Sequence, residues 1–170
     1  MITFILPGFS ASNKEWVDEV LRNIKLGGDI RPIYWDHWTD TQKKFNPEEK
    51  ARMLSNVTGS DTVNIISKSL GTLVASFMIK SIAGRINKVV LNGVPMTDLN
   101  ENDKLVITEA LRSLPPKKII CIQNSNDNHG SFSEAKEFVG GINQEIKIIE
   151  KEASDHNYPY YQDFQSFLEG

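Results

Sequence analysis

Short apolar runs and longer amphipathic stretches alternate along the whole chain. The runs, rich in Ile, Val and Phe, fall at Ile2–Leu6, Ile30–Trp35, Thr62–Ile66, Lys88–Leu91, Lys118–Ile122 and Ile146–Ile149. Each has the length of a strand and is mostly apolar at successive positions, as a strand covered on both faces must be. Between them the period changes to that of a helix. Trp16, Val17, Val20, Leu21 and Ile24 fall on one stripe of Asn13–Ile24, with Ser12 in the capping position. Asn46 precedes Pro47 at a first helical position, and Glu48 and Glu49 complement the positive end of that helix. Leu70–Ile82 is apolar nearly all round and reads as a buried helix. Asn100–Leu114 ends at Pro115-Pro116, Ser131–Val139 ends at Gly140-Gly141, and Tyr158–Leu168 forms the last helix. Six strands alternating with six helices predict an α/β fold. It is a three-layer, doubly wound sandwich with a six-stranded parallel sheet and helices on both faces.

Length and composition sharpen that picture. The 170 residues suit one domain, and no repeat, low-complexity tract or linker divides them. Between the fourth and fifth strands, residues 92–117 are largely filled by one helix, so residues 1–170 are expected to form a single domain without a cap insertion. Nineteen basic residues against 22 acidic ones leave a net charge of −3, which provides no footprint for nucleic acid or an anionic membrane. No apolar run approaches the roughly 20 residues of a bilayer span. A single cysteine, Cys121, cannot form an internal disulfide and points to a reducing compartment. The first residues lack a basic segment and reach Pro7-Gly8 too soon for a signal peptide. The expected location is the cytoplasm.

Ligands of an open parallel sheet bind beyond the carboxyl ends of its strands, so the residues after each run are the candidates for chemistry. The third run leads to Ser67-Lys68-Ser69-Leu70-Gly71 and then directly to the buried helix. A serine on so tight a turn is a nucleophile elbow, whose neighbours two places away must be small because other chains pass close by. Gly71 meets that need, while Ser67 stands where the pattern has Gly. Asp127 follows the fifth run and His156 the sixth. A serine hydroxyl becomes a nucleophile when a base takes its proton, imidazole titrates near neutrality, and a carboxylate orients the imidazole. After the first run, Leu6-Pro7-Gly8-Phe9 places the backbone N–H of Phe9 where it can meet an oxyanion together with that of Leu70. There is no G-x-G-x-x-G fingerprint and no phosphate loop. No cofactor and no metal are expected.

With serine, acid and histidine in that order at strand ends, nearly the whole chain resembles the α/β-hydrolase superfamily. Its short length makes it most similar to the minimal, cap-less serine hydrolases of the retinoblastoma-binding-protein-9-like group. The resemblance implies a Ser69–Asp127–His156 triad, an oxyanion hole at Phe9 and Leu70, and the strand order 2-1-3-4-5-6. Pro7 stands where many members carry a histidine beside the oxyanion glycine.

Rival residues have other expected roles. Asp98, after the fourth run, is the alternative acid. Asp155 adjoins His156, where neighbouring side chains point apart. His129 is expected at the rim and His37, with no H-x-x-x-H or Cys partner, in a structural place; Asp36, His37 and Asp40 as a metal cluster is the disfavoured reading. Lys68 reads as an exposed charge or as a contact for an acidic substrate, and Cys121 as a packing residue.

The function expected is that of a serine hydrolase, of carboxylesterase or thioesterase type, cleaving a small ester, thioester or amide through an acyl-enzyme on Ser69. Its partner is a small-molecule acyl substrate. The alternative is a non-catalytic binding protein on the same fold; a nucleotide- or flavin-binding domain is disfavoured by the missing phosphate loop.

Overall fold

Why the central strands are apolar at most of their positions becomes plain in the computed structural model, which describes residues 1–170. The elements run β1 (Ile2–Leu6), α1 (Asn13–Asn23), β2 (Asp29–Pro32), α2 (Pro47–Asn56), β3 (Val63–Lys68), α3 (Gly71–Ile82), β4 (Ile86–Asn92), α4 (Glu101–Arg112), β5 (Ile119–Asn124), α5 (Phe132–Ile142), β6 (Lys147–Lys151) and α6 (Tyr161–Glu169). Short 3-10 turns occupy Asp36–Trp38, Ala83–Arg85 and Pro116–Lys118. The six strands form one sheet, ordered β2-β1-β3-β4-β5-β6, in which every neighbouring pair is parallel. This is the order that the resemblance implied.

Alternate residues of each strand serve opposite faces. Phe4, Leu6, Ile65, Val89, Leu91, Ile119 and Cys121 pack with α2, α3, α4 and α5 in the larger core cluster. Ile5, Ile66, Val90, Ile120 and Ile122 pack with Trp16, Val17 and Val20 of α1 and with Phe164 and Leu168 of α6 in the smaller one. Fully burying an aliphatic or aromatic side chain is worth about 1.5–3 kcal/mol, so both faces hold the sheet and each is closed by its own helices. Between β4 and β5 the chain contains α4 and the turn at Pro116–Lys118. No helix is long and apolar enough to cross a membrane.

Several local expectations need correction. Ser12 does not cap α1: its backbone is already helical, and its N–H and hydroxyl both donate to Ser10 Oγ. Asn46 and Asn100 do cap, through Glu49 N–H and through the Asn102 and Asp103 N–H groups. α5 runs through Gly140 and Gly141 to Ile142, because a glycine near a helix end weakens the helix without ending it. β2 is shorter than its apolar run: Ile33 still donates to Ile5 O, but Trp35 leaves the sheet. α6 begins only at Tyr161, so Tyr158 is not helical. Pro159 accounts for this, since the residue before a proline avoids helical backbone angles.

Candidate active site

The elbow after β3 is built as its residue sizes require. Ser69 has φ 55°, which no other non-glycine residue shares in adopting a positive value. Such left-handed backbone costs an L-residue roughly 1–2 kcal/mol, and the surroundings hold it in place. The Ser69 N–H donates to Asn92 O at 2.9 Å, and Ser69 O accepts from the N–H and hydroxyl of Thr72 at 2.8 and 2.7 Å. At Gly71 a Cβ would lie 2.3 Å from Leu6 O, so no side chain fits. At minus two the serine is accommodated, because the buried Ser67 hydroxyl donates to Val90 O of β4 at 3.0 Å. Asn92 completes the brace by donating its amide to Ser67 O at 2.9 Å.

Beyond β5, Asp127 is buried and accepts three hydrogen bonds. Oδ2 takes His156 Nδ1 at 2.6 Å and the Tyr158 hydroxyl, while Oδ1 takes the His129 N–H at 2.8 Å. Burial works against ionisation of this carboxyl, but the bonds from His156, Tyr158 and His129 together outweigh it and hold its pKa below the ordinary 3.8. Burial first, and the Asp127 carboxylate second, push the Tyr158 phenol far above its ordinary range, so its hydroxyl keeps the hydrogen that it donates. Because Nδ1 of His156 faces a carboxylate, it carries the imidazole hydrogen and leaves the lone pair on Nε2. That Nε2 is buried and bonded to no other group of the protein. The His156 loop is fixed on both sides by Asn124, whose amide donates to Asp155 O at 2.8 Å and Asn157 O at 2.9 Å. Asn124 Oδ1 in turn accepts the Tyr160 hydroxyl at 2.6 Å, and Trp16 Nε1 donates to Tyr158 O at 2.9 Å.

The carboxyl end of β4 separates the two parts. Ser69 is bonded to Asn92, and the next residue, Gly93, has φ 56° and lies so close to the Tyr158 ring that a Cβ would sit 2.5 Å from it. No hydrogen bond joins Ser69 to His156. Opposite the elbow, Gly8 lies against the Ser69 side chain, since a Cβ on Gly8 would lie 3.0 Å from Ser69 Cβ. Neither the Phe9 nor the Leu70 N–H donates to any group of the protein.

The rivals are occupied elsewhere. Asp98 pairs with His129 Nδ1 at 2.7 Å, at a side-chain exposure near 40% for both. Asp155 Oδ1 accepts the Asn157 N–H, and Asp36 pairs with Lys50. The His129 ring lies against that of His156, with centroids 4.4 Å apart. His37 stacks on Phe9 at 4.7 Å. Burial of Cys121 in β5 raises its thiol pKa to about 12. Lys68 departs from its expected exposure: it is only 7% exposed, and its ammonium stands 5.7 Å from the centre of the Trp16 ring. Burial brings its pKa down to about 8, although the carboxylates of Asp127, Asp155 and Glu19 pull the other way.

Sequence reasoning passed over Asn124 and Tyr158. Asn124 was visible as a polar residue ending an apolar strand, and Tyr158 through the proline that follows it.

The sequence matches no protein-family model, and no curated protein matches it. Solved structures do resemble it. A Pectobacterium atrosepticum protein described as a YdeN-like hydrolase superposes with a TM-score of 0.69 at 15% identity, covering 99% of this chain and 91% of that one. α/β hydrolase domain-containing protein 10 from mouse gives 0.67 at 11% identity over 98% and 86%. Esterase 2 of Thermogutta terrifontis, phosphorylated by paraoxon, gives 0.62 at 14% identity over 99% and 78%. With the strand order, the parallel sheet and these superpositions taken together, the fold of this chain is that of the α/β hydrolases.

Proposed function

We propose that this protein is a serine hydrolase that cleaves a small ester, thioester or amide through an acyl-enzyme on Ser69. The observation that carries the reading is the Asp127–His156 pair: a carboxylate fixes the imidazole tautomer so that a free lone pair remains on Nε2. In the first half-reaction, Nε2 takes the Ser69 proton as Oγ bonds to the substrate carbonyl carbon. The carbonyl oxygen becomes an oxyanion, met by the Phe9 and Leu70 N–H groups. The tetrahedral intermediate then collapses, and the leaving group departs with the proton held by His156. In the second, a water gives its proton to His156 while its oxygen bonds to the acyl carbon. Collapse returns that proton to Ser69 and releases the acid. Asp127 stays ionised throughout. The helix α3, starting at Gly71, adds its positive end to the stabilisation of the oxyanion.

A fluorophosphonate probe tests this reading. Covalent labelling of the wild type, located at Ser69 by peptide mass mapping and absent from Ser69→Ala, is expected. Hydrolysis of p-nitrophenyl acetate should disappear with the label. Wild-type protein that neither labels nor turns over would leave the fold as a non-catalytic binder.

A further inference from the structure

The oxyanion loop is held by three ring N–H groups from one short segment. Trp35 Nε1 lies 3.2 Å from Pro7 O and 3.1 Å from Gly8 O, shared between the two carbonyls. His37 Nε2 and Trp38 Nε1 both reach Phe9 O, at 2.8 and 2.6 Å. A carbonyl can only accept, so Nε2 of His37 carries the hydrogen, and Nδ1 is left buried with no partner. All three residues lie at or beside the 3-10 turn Asp36–Trp38, just beyond β2. They therefore approach residues 7–9 from the sheet edge.

The direction of those bonds matters because a peptide unit is planar. All peptide bonds in the chain are trans, so each C=O points opposite to the N–H of its own unit. Drawing Gly8 O towards Trp35 turns the Phe9 N–H away from Trp35. That N–H is engaged by no group of the protein, and Gly8 itself is packed against the Ser69 side chain. Drawing Phe9 O towards His37 and Trp38 fixes the plane of the next unit. Phe9 is then stacked on His37 and meets Phe45 edge-on at 5.5 Å, although the side chain is 52% exposed.

We propose that Trp35, His37 and Trp38 are positioning residues for the oxyanion donor: they hold the carbonyls of Pro7, Gly8 and Phe9 so that the Phe9 N–H is aimed at the substrate oxygen before substrate arrives. This rests on the hydrolase reading given above. It assigns a catalytic consequence to the β2–α2 connection, which holds no member of the triad. Donors oriented in advance need no reorganisation as charge develops, which is where their contribution to rate arises.

The test removes donors and keeps rings. Trp38→Phe and the double variant His37→Phe/Trp38→Phe lose the bonds to Phe9 O at partly exposed positions, and Trp35→Phe loses the buried pair. Tyr34→Phe is the control: it breaks the neighbouring bond to Asp18 without touching the loop. Losing a whole oxyanion donor costs about a hundredfold to a thousandfold in kcat; a donor left in place but misaimed is expected to cost about tenfold to a hundredfold. That loss should appear in kcat, with KM moving less than about threefold. The affinity of a trifluoromethyl ketone, whose adduct carries an oxyanion, should fall in parallel with kcat. A purely structural role would lower melting temperature without this split. Backbone 15N order parameters of Gly8, Phe9 and Ser10 should be lower in the double variant than in Tyr34→Phe, and this readout needs no turnover. Unchanged order parameters would overturn the clamp, as would unchanged kcat and ketone affinity in active, folded variants. Wild-type protein with no label at Ser69 would instead overturn the hydrolase reading, with the order-parameter comparison still deciding whether the loop is clamped.

Discussion

Replacing Lys68 by Met should make the protein more stable, by an amount that depends on pH. Lys68 is nearly enclosed beside the elbow, and burial brings its pKa from 10.5 to about 8. At about 1.36 kcal/mol per pKa unit, the folded protein at pH 7 carries a penalty on the order of 3 kcal/mol for keeping the ammonium. The attraction of Asp127, Asp155 and Glu19 is already contained in that pKa. The Trp16 face offsets part of the remainder, about 0.5–2 kcal/mol for cation–π contacts generally. Met is close to Lys in length and adapts to an irregular apolar site. The expected gain at pH 7 is thus about 1–3 kcal/mol. At about 2–4 °C per kcal/mol for a chain of this size, it corresponds to roughly 2–12 °C in Tm.

The pH dependence has a definite sign. Below pH 8 the lysine is protonated in both the folded and the unfolded chain, so the penalty is present in full. Between pH 8 and 10.5 the folded protein has released the proton and the unfolded chain has not, so wild-type stability rises relative to the variant. The gap should close as pH approaches 10.5. Urea unfolding of both proteins at pH 7, 9 and 10.5 measures it, and groups common to both cancel in the difference. A variant less stable than wild type at pH 7, or a gap that does not change with pH, would refute the reasoning.

Three further expectations concern the site. Ser69→Gly removes the left-handed strain at φ 55° and should raise stability by about 1 kcal/mol in chemical denaturation while abolishing esterase activity. Tyr158→Phe removes one of the bonds that hold the Asp127 carboxyl low; it should cost about 1–2 kcal/mol at pH 7. The carboxylate's contribution to stability, present above its unfolded pKa and lost as pH falls through the folded one, should then fail at a higher pH than in wild type. Finally, the β4–β5 connection holds one helix and a short turn, with no inserted segment to enclose a long acyl chain. A p-nitrophenyl series from acetate to palmitate should therefore favour acyl groups of about two to four carbons, since methylenes left in water forgo about 0.8 kcal/mol each. A steady rise in kcat/KM with chain length would contradict this.

The fold was legible because a parallel sheet buried on both faces needs apolar residues at nearly every strand position, and Ile2–Leu6 and residues 119–122 meet that need locally. The candidate site was legible in part for a similar reason, since its residues follow the strands directly. What escaped the sequence lies in contacts between distant segments. Asn124 and Tyr158 gain their roles only when β5 and the loop after β6 meet. His37 read as a structural residue because nothing near it in sequence points to Phe9 O, 28 positions earlier. Lys68 read as exposed because a charge at the end of a strand is usually solvated; Trp16, on a different helix, helps to enclose it.

The hydrogen bond from Trp16 Nε1 to Tyr158 O spans 142 residues of chain, and it sets a condition on how the protein acquires its site during folding. The elbow after β3 can be shaped by β1, β3 and β4, which neighbour one another in the sheet. His156 and Asp127 come together only after β6 has docked on β5 and the loop beyond it has reached α1. Contacts of such separation form slowly, since the entropy of closing long loops must be met before they stabilise the chain. During refolding, recovery of activity should therefore coincide with the last event of assembly and lag behind the burial of the central strands. A chain emerging from the ribosome would hold Ser69 in place well before it held the Asp127–His156 pair.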